Sequence, residues 1–421
     1  MSSVAIPSLH DNVSAATEHS EDGNRPFIQV FAVFFCGVVA FLDLYCTQPL
    51  LPLLSQIFRA SEAKVSLTIS ASTLGVAFSA ALLALFGERL DRKRTIVTSM
   101  SVLAVCTLMT MTATNLATLA AWRLLQGLVT PGIFIITIAY ITEEWPALQV
   151  PRVMSMYVAG TVFGGFLGRV SGGLLAERFG WRSVFFVLGL LGLAGAVITQ
   201  RMLKPAQPRT AAPRDRFAQA PSRFAPVLGN LRNSRLLATF AIGFCMLFTL
   251  VSIFSYITFY LAAAPFHLST VELSWLFAVY LCGLAATLAA GTVLARVGLR
   301  HGMLAAVAFG LTGAVLTLVH SLAVIGLGLA IASSGVFIAQ TCANSFLRDA
   351  APAGSRVSAA GMYICSYYIG GTVGGLLPGL AWKFAGWPGC VALTSGFLII
   401  AGAMAVFGWR TRQAEPDPIP L

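Results

Sequence analysis

Apolar runs of about 17–25 residues recur along the chain between short polar stretches, and each is long enough to cross a bilayer as a helix. Twelve spans are predicted, near 27–52, 65–86, 95–113, 117–141, 153–175, 183–202, 237–263, 271–294, 302–319, 323–346, 358–381 and 388–409. The one long polar interruption, 203–236, contains PAQPRTAAPRDR and reads as a linker between two sets of six. The pattern therefore divides the chain into an N-terminal tail (1–26), a six-helix bundle (27–202), a linker (203–236), a second six-helix bundle (237–409) and a C-terminal tail (410–421). The expected fold class is an all-α membrane protein with twelve transmembrane helices in two pseudo-symmetric six-helix bundles.

The two sets repeat one another. In the fifth span Met156-Tyr157 is followed by Gly164-Gly165, Gly168, Gly173-Leu174 and Trp181; in the eleventh, Met362-Tyr363 is followed by Gly370-Gly371, Gly374, Gly379-Leu380 and Trp387, each pair 206 positions apart. The segment ALFGERLDRKR (84–94) corresponds likewise to GTVLARVGLRH (291–301) at an offset of 207. Parallel repeats place a pseudo-two-fold axis along the membrane normal, with a cavity between the halves. Small residues four positions apart, Gly164 with Gly168 and Gly370 with Gly374, let helix backbones approach closely. They predict tight packing, with Arg169 beside Gly168 counted among the packing residues, and, where these helices meet the opposite half, a smooth surface on which the halves pivot.

Composition agrees with a membrane setting. Of 421 residues 57% are hydrophobic and 10% charged, against about a quarter charged in soluble domains. The net charge of +11 is mostly a topology signal. With the N-terminus inside, twenty of the 27 Lys and Arg residues fall on the cytoplasmic side and five outside (Arg59, Lys64, Arg178, Arg182 and Lys383). Arg123 and Arg169 lie within spans. That bias predicts both termini in the cytoplasm. No motif supports nucleic-acid binding. The eight cysteines all fall in predicted spans, with no CxxC pair, and read as packing residues rather than metal ligands. The polar first 25 residues lack a basic leader and read as a cytoplasmic tail.

Charged residues in spans are the candidate chemistry. Among the sixteen Asp and Glu, Asp43 is the one well inside a span, in FLDLYCTQPLLPLL. Desolvation opposes its ionised form and a nearby cation favours it, so its protonation is poised between competing effects, as a proton carrier requires. It can instead be a local hydrogen-bonding residue beside a bend at Pro49 or Pro52. Arg123, too costly to face hydrocarbon at roughly 2.5–3.5 kcal/mol or more, either faces the central cavity or ties down carbonyls and Gln126. Asp43 with Arg123 forms the candidate proton-coupling pair. Gln48, Gln126, Tyr256, Gln340, Asn344 and Tyr367 are candidate cavity or substrate residues. No P-loop, zinc signature or nucleophile elbow occurs, so neither an ATP-driven pump nor an enzyme is expected.

ALFGERLDRKR resembles motif A (GxLxDRxGRKR) of the major facilitator superfamily. Ala84, Phe86, Glu88, Arg89 and Asp91 stand at its Gly, Leu, Asp, Arg and second Gly, followed by Arg92, Lys93 and Arg94. The second-half copy keeps Gly291, Arg296, Gly298 and Arg300, with Ala295 at the acid. The resemblance implies a cytoplasmic gate built from Glu88, Arg89, Asp91, Arg92, Arg94 and Arg296, with the acid near the N-terminus of the eleventh helix, where the helix dipole favours negative charge. Arg123-Leu-Leu-Gln126-Gly127 resembles motif B (RxxQG). Gly160, Gly164 and Gly168 match motif C of the antiporter branches in part, with Gly165 at its Pro and Arg169 at its last Gly. GGFLGR, LYCTQPLLP and SYY are similar to a bacterial branch of YnfM-type, acriflavine-sensitivity efflux permeases. The resemblance implies a secondary active transporter of the bacterial inner membrane, working as a monomer without cofactor or metal. Its partners would be protons, a small-molecule substrate and membrane lipid, and its mode proton-coupled efflux of small amphipathic compounds by alternating access. The rivals are uptake or exchange of a small anionic or polar metabolite clamped by Arg123, and a non-transporting membrane sensor.

Overall fold

The computed structural model describes residues 28–86, 90–204, 225–352 and 355–409, and every regular element among them is helical. In chain order these are α1 (Ile28–Leu42), α2 (Leu51–Phe58), α3 (Glu62–Phe86), α4 (Arg92–Thr110), α5 (Leu116–Val129), α6 (Pro131–Glu144), α7 (Val150–Phe179), α8 (Trp181–Met202), the short α9 (Ala225–Leu231), α10 (Ser234–Ala262), α11 (Thr270–Trp275), α12 (Val279–Val297), α13 (Leu299–Leu316), α14 (Leu322–Ala350), α15 (Arg356–Leu376) and α16 (Pro378–Gly408). They build twelve spans, with α1–α2, α5–α6 and α11–α12 each forming one. Nine of the described spans have the length and apolar composition to cross a membrane. The first, third and eleventh spans fall short because one is broken, one opens on Arg92-Lys93-Arg94 and one is crowded with Gly, Ser and Tyr.

The first span is expected to run unbroken over 27–52; instead residues 43–50 form turns between α1 and α2. Proline explains the break. Pro49 and Pro52 have no N–H to offer the oxygens of Tyr45 and Gln48, four residues earlier. Those oxygens accept from Gln48 N at 3.0 Å and Leu51 N at 3.4 Å instead, tightening the chain into three-residue turns. The eighth span is also interrupted, by a 3₁₀ turn at Leu276–Ala278. Its start is closed by a capping box between Ser269 and Glu272. The expected linker is not irregular throughout: α9 lies inside it, and Asn230 accepts from Ser355 Oγ at 2.9 Å, tying the segment to the turn before α15.

The internal repeat extends to three dimensions. Gly164 and Gly168 of α7 lie against the backbone of Val38 and Leu42 in α1, and Gly370 and Gly374 of α15 lie against Phe244 and Phe248 in α10. Each partner pair is again 206 apart. Gly180 (φ 83°) and Gly386 (φ 59°) likewise break their chains just before the buried Trp181 and Trp387. These four packing glycines therefore face the first helix of their own half. As pivots between halves they are a correction to the sequence reading, because the inter-half surface lies further round each helix. There Gly375 meets Ser70, Gly361 meets Ala84 and Gly173 meets Ser274.

Opposite-half contacts join α3 to α15, α7 to α11 and α2 to α10. Ser70 Oγ donates to Thr372 O at 2.8 Å, and Val271 N donates to Glu177 Oε2 at 2.9 Å. Both lie toward the end of the bundle away from the basic loops and tie the halves together there. Lipid-facing positions such as Phe78, Ile399 and Phe407 are exposed, whereas the interior holds Thr68, Ser72, Thr73, Thr258 and Ser333. Such hydroxyls satisfy their hydrogen bonds on neighbouring carbonyls, the arrangement a lipid-embedded helix bundle requires. Six of the cysteines are buried and Cys365 is half-buried; Cys282 is exposed, a departure from the expected packing role.

Candidate functional site

The break in the first span sets up the site. At the end of α1 the helix leaves carbonyls without their usual amide partners, and Arg123 of α5 supplies donors to them. Its Nη1 donates to Asp43 O at 3.0 Å and its Nη2 to Leu44 O, while Nε reaches Thr68 O at 3.4 Å. The same Nη1 lies 3.2 Å from the Asp43 carboxylate and 2.7 Å from Gln126 Oε1. Gln126 in turn donates to Thr107 and Thr110, both at 3.1 Å. Asp43 and Arg123, 80 positions apart, thus form one buried ion pair. A cation at the carbonyl end of a helix is also favoured by the helix dipole. Arg123 is fully enclosed, at 0% exposure. Of the two environments considered from sequence, the structure has the one inside the N-terminal half, tying down carbonyls and Gln126, rather than one facing a cavity.

Arg169 occupies a second centre, where the halves meet. Its Nε donates to Gln48 Oε1 at 2.8 Å and its Nη1 to Gly165 O at 2.6 Å. Gln48 passes the contact across the interface by donating to Ser255 Oγ at 3.4 Å. The guanidinium carbon stands 4.8 Å from the ring centres of Tyr45 and Tyr280 and 5.1 Å from that of Phe277. Three aromatic faces, one from the broken first span and two from the interrupted eighth, surround this cation. The packing role expected for Arg169 understates it.

The remaining candidates divide. Gln48, Gln126 and Tyr256 are buried in helix contacts, Tyr256 by donating to Gly375 O at 3.0 Å. As open cavity residues they are corrections, because their polar atoms already satisfy neighbours. Gln340 and Tyr367 are partly exposed and meet at 3.4 Å, and Asn344 is exposed one turn along α14. Tyr367 also contacts the rings of Tyr363 and Tyr368.

The profile of the Major Facilitator Superfamily matches residues 33–374. The chain belongs to the major facilitator superfamily. It is 30% identical over 391 residues to the inner membrane transport protein YnfM of Escherichia coli (strain K12), covering 93% of each chain. To the uncharacterized MFS-type transporter YybF of Bacillus subtilis (strain 168) it is 29% identical over 388 residues, covering 92% of this chain and 94% of the relative. Among solved structures, a bacterial homologue of the human lysosomal transporter Spinster, inward-facing and unoccupied, superposes with a TM-score of 0.73 at 16% identity. That match covers 91% of this chain and 96% of the other. The protein is accordingly a multi-pass membrane transporter of this superfamily.

The superfamily's motif A is partly described. Glu88 and Arg89 lie outside the described residues. Asp91, standing where the motif has glycine, keeps a negative φ of −65° and caps α4 by accepting Arg94 N at 2.8 Å. The second-half counterpart Gly298 turns with φ 82°. An N-cap thus replaces a left-handed turn. Arg92 makes a two-pronged contact to Glu143 at the end of α6, with Nε to Oε2 at 3.0 Å and Nη2 to Oε1 at 2.8 Å. Arg94 and Arg296 are exposed. In motif B, Gly127 lies against the Ser72 carbonyl, holding α5 on α3 and thereby setting the depth of Arg123. Sequence reasoning missed Glu143, Tyr45, Phe277 and Tyr280. The aromatics gave no spacing signal, but an acid closing a helix opposite the basic motif could have marked Glu143.

Proposed function

We propose that this protein is a secondary active transporter that exports small amphipathic organic compounds from a bacterial cell in exchange for protons, by alternating access. Both termini and the basic loops face the cytoplasm in this reading. Asp43 carries the proton, Arg123 holds the site, and Glu88 with the neighbouring basic residues forms the cytoplasmic gate.

The contact between Asp43 and Arg123 at the helix break carries the reading. Protonating Asp43 removes one acceptor from Arg123 but leaves it the oxygens of Leu44, Thr68 and Gln126 and the backbone oxygen of Asp43. The charge of the site changes while its frame remains. Such a centre can load and unload a proton without collapsing, and it sits on the irregular segment of the first span, where backbone conformation is least constrained by helix bonds. Arg123, by contrast, has its donors engaged and is poorly suited to clamp an anionic metabolite itself.

The test is transport of a fluorescent amphipathic dye in everted vesicles from a strain lacking its major exporters. Wild type should respond to an imposed pH gradient, and Asp43→Asn should abolish the response while the protein remains folded in the membrane. Full gradient-driven transport by Asp43→Asn overturns the assignment of Asp43.

A further inference from the structure

Arg169 and Arg123 are both buried, but their surroundings differ. Arg123 is paired with a carboxylate; among the described residues Arg169 has no acidic partner. Its Nε and Nη1 are used within the protein. Nη2 donates to no described residue, and it is not among the enclosed polar atoms left without a partner. One donor edge of the guanidinium is therefore open. The hydroxyl of Tyr280, whose ring lies on this cation, is buried beside the guanidinium and makes no well-aligned hydrogen bond. A cation held only by aromatic faces and two neutral acceptors remains uncompensated in a low-dielectric interior, where an unpaired charge is costly.

We propose that Arg169 and Tyr280 bind the carboxylate of the transported compound, an organic monoanion with a flat apolar body. The open Nη2 and the Tyr280 hydroxyl provide two donors for two carboxylate oxygens. The single uncompensated charge matches a monoanion better than a phosphate dianion, because Arg123 is fully enclosed and already paired with Asp43. Tyr45 and Phe277 turn aromatic faces to the guanidinium. A planar apolar body stacks on such faces. Tyr45 belongs to the first half and Phe277 with Tyr280 to the second. A bound carboxylate would neutralise Arg169 where the halves join, so occupancy bears directly on the surface that opens and closes. The inference rests on the carrier reading above and assigns its substrate class.

The full-length protein in lipid nanodiscs is titrated with benzoate and, as the uncharged match, benzamide, and then with naphthoate and naphthamide, by calorimetry. Wild type should bind each acid at least about tenfold more tightly than its amide, the loss expected when a charge-assisted hydrogen bond is removed. Arg169→Gln should erase that preference. Tyr280→Phe, which keeps the ring, should reduce it. The wild-type comparison stands even if Arg169→Gln fails to fold. Equal binding of acids and amides by wild type, no binding of either acid, or an acid preference that survives in folded Arg169→Gln overturns the proposal. If the acid preference is absent while dye export remains gradient-driven and dependent on Asp43, the substrate assignment alone fails. If acids bind as expected but Asp43→Asn still couples to the gradient, the coupling assignment alone fails.

Discussion

Thr73 and Thr372 stand on opposite halves, 299 positions apart, with their hydroxyl oxygens 3.0 Å from one another. The bond joins α3 to α15 beside the Ser70–Thr372 contact, on a seam that must part if the halves are to separate there. A Thr73→Cys, Thr372→Cys double variant, with Cys282→Ser to remove the exposed native thiol, should cross-link under oxidant. Transport should stop when the bridge forms and return on reduction. Unimpaired transport by the fully bridged protein, with bridging read by mass spectrometry, would show that this seam does not open during the cycle.

Arg123 should matter more to stability than Asp43 does. Arg123→Ala strips donors from the carbonyls of Asp43, Leu44 and Thr68 and leaves Asp43 buried without its cation. A loss of about 3–5 kcal/mol is expected, the range for breaking a buried ion pair. Asp43→Asn keeps an acceptor and a similar shape and should cost less. Thermal melts in detergent check the order, and an Asp43→Asn protein less stable than Arg123→Ala would contradict it.

The repeated glycines offer a symmetric comparison. A methyl group at Gly374 would stand 2.6 Å from the Phe248 oxygen, and one at Gly168 would collide with Leu42 O. Gly168→Ala and Gly374→Ala should each destabilise by at least about 1–3 kcal/mol through overpacking. Gly326→Ala in α14, with nothing within 4 Å, should be neutral or mildly stabilising. Melting temperatures of the three single variants decide whether the twin contacts carry equal weight.

Arg92 and Glu143 anchor α4 to the end of α6 at the basic end of the bundle. Their side chains are 7% and 28% exposed, so solvent screening is limited. Arg92→Ala should lower stability by about 1.5–3 kcal/mol, the scale of a charged hydrogen bond. Exchanging the charges, Arg92→Glu with Glu143→Arg, should recover part of the loss. A double variant worse than the sum of the two singles would mean that the pair's surroundings, rather than the pair, require arginine at 92.

Much of the architecture was legible in the residue order because a bilayer imposes one-dimensional rules. Backbone groups in hydrocarbon must bond within their own helix, so each span announces itself as an apolar run. A duplicated chain keeps its spacing, so Gly168 and Gly374 reveal the two halves before any contact is known. Asp43 stood out for the same reason: a carboxyl group inside an apolar run has few explanations. Contacts between helices follow no such rule. Residues 121 positions apart, Gln48 and Arg169, become neighbours through packing. The faces of Tyr45, Phe277 and Tyr280 converge on one cation because a proline-driven break and a 3₁₀ turn reorient their backbones. Residue order identified two arginines buried in spans. Only the folded chain distinguishes them, leaving Arg123 with its donors engaged and Arg169 with an open edge, because hydrogen-bond saturation depends on which distant carbonyls the helices bring within reach.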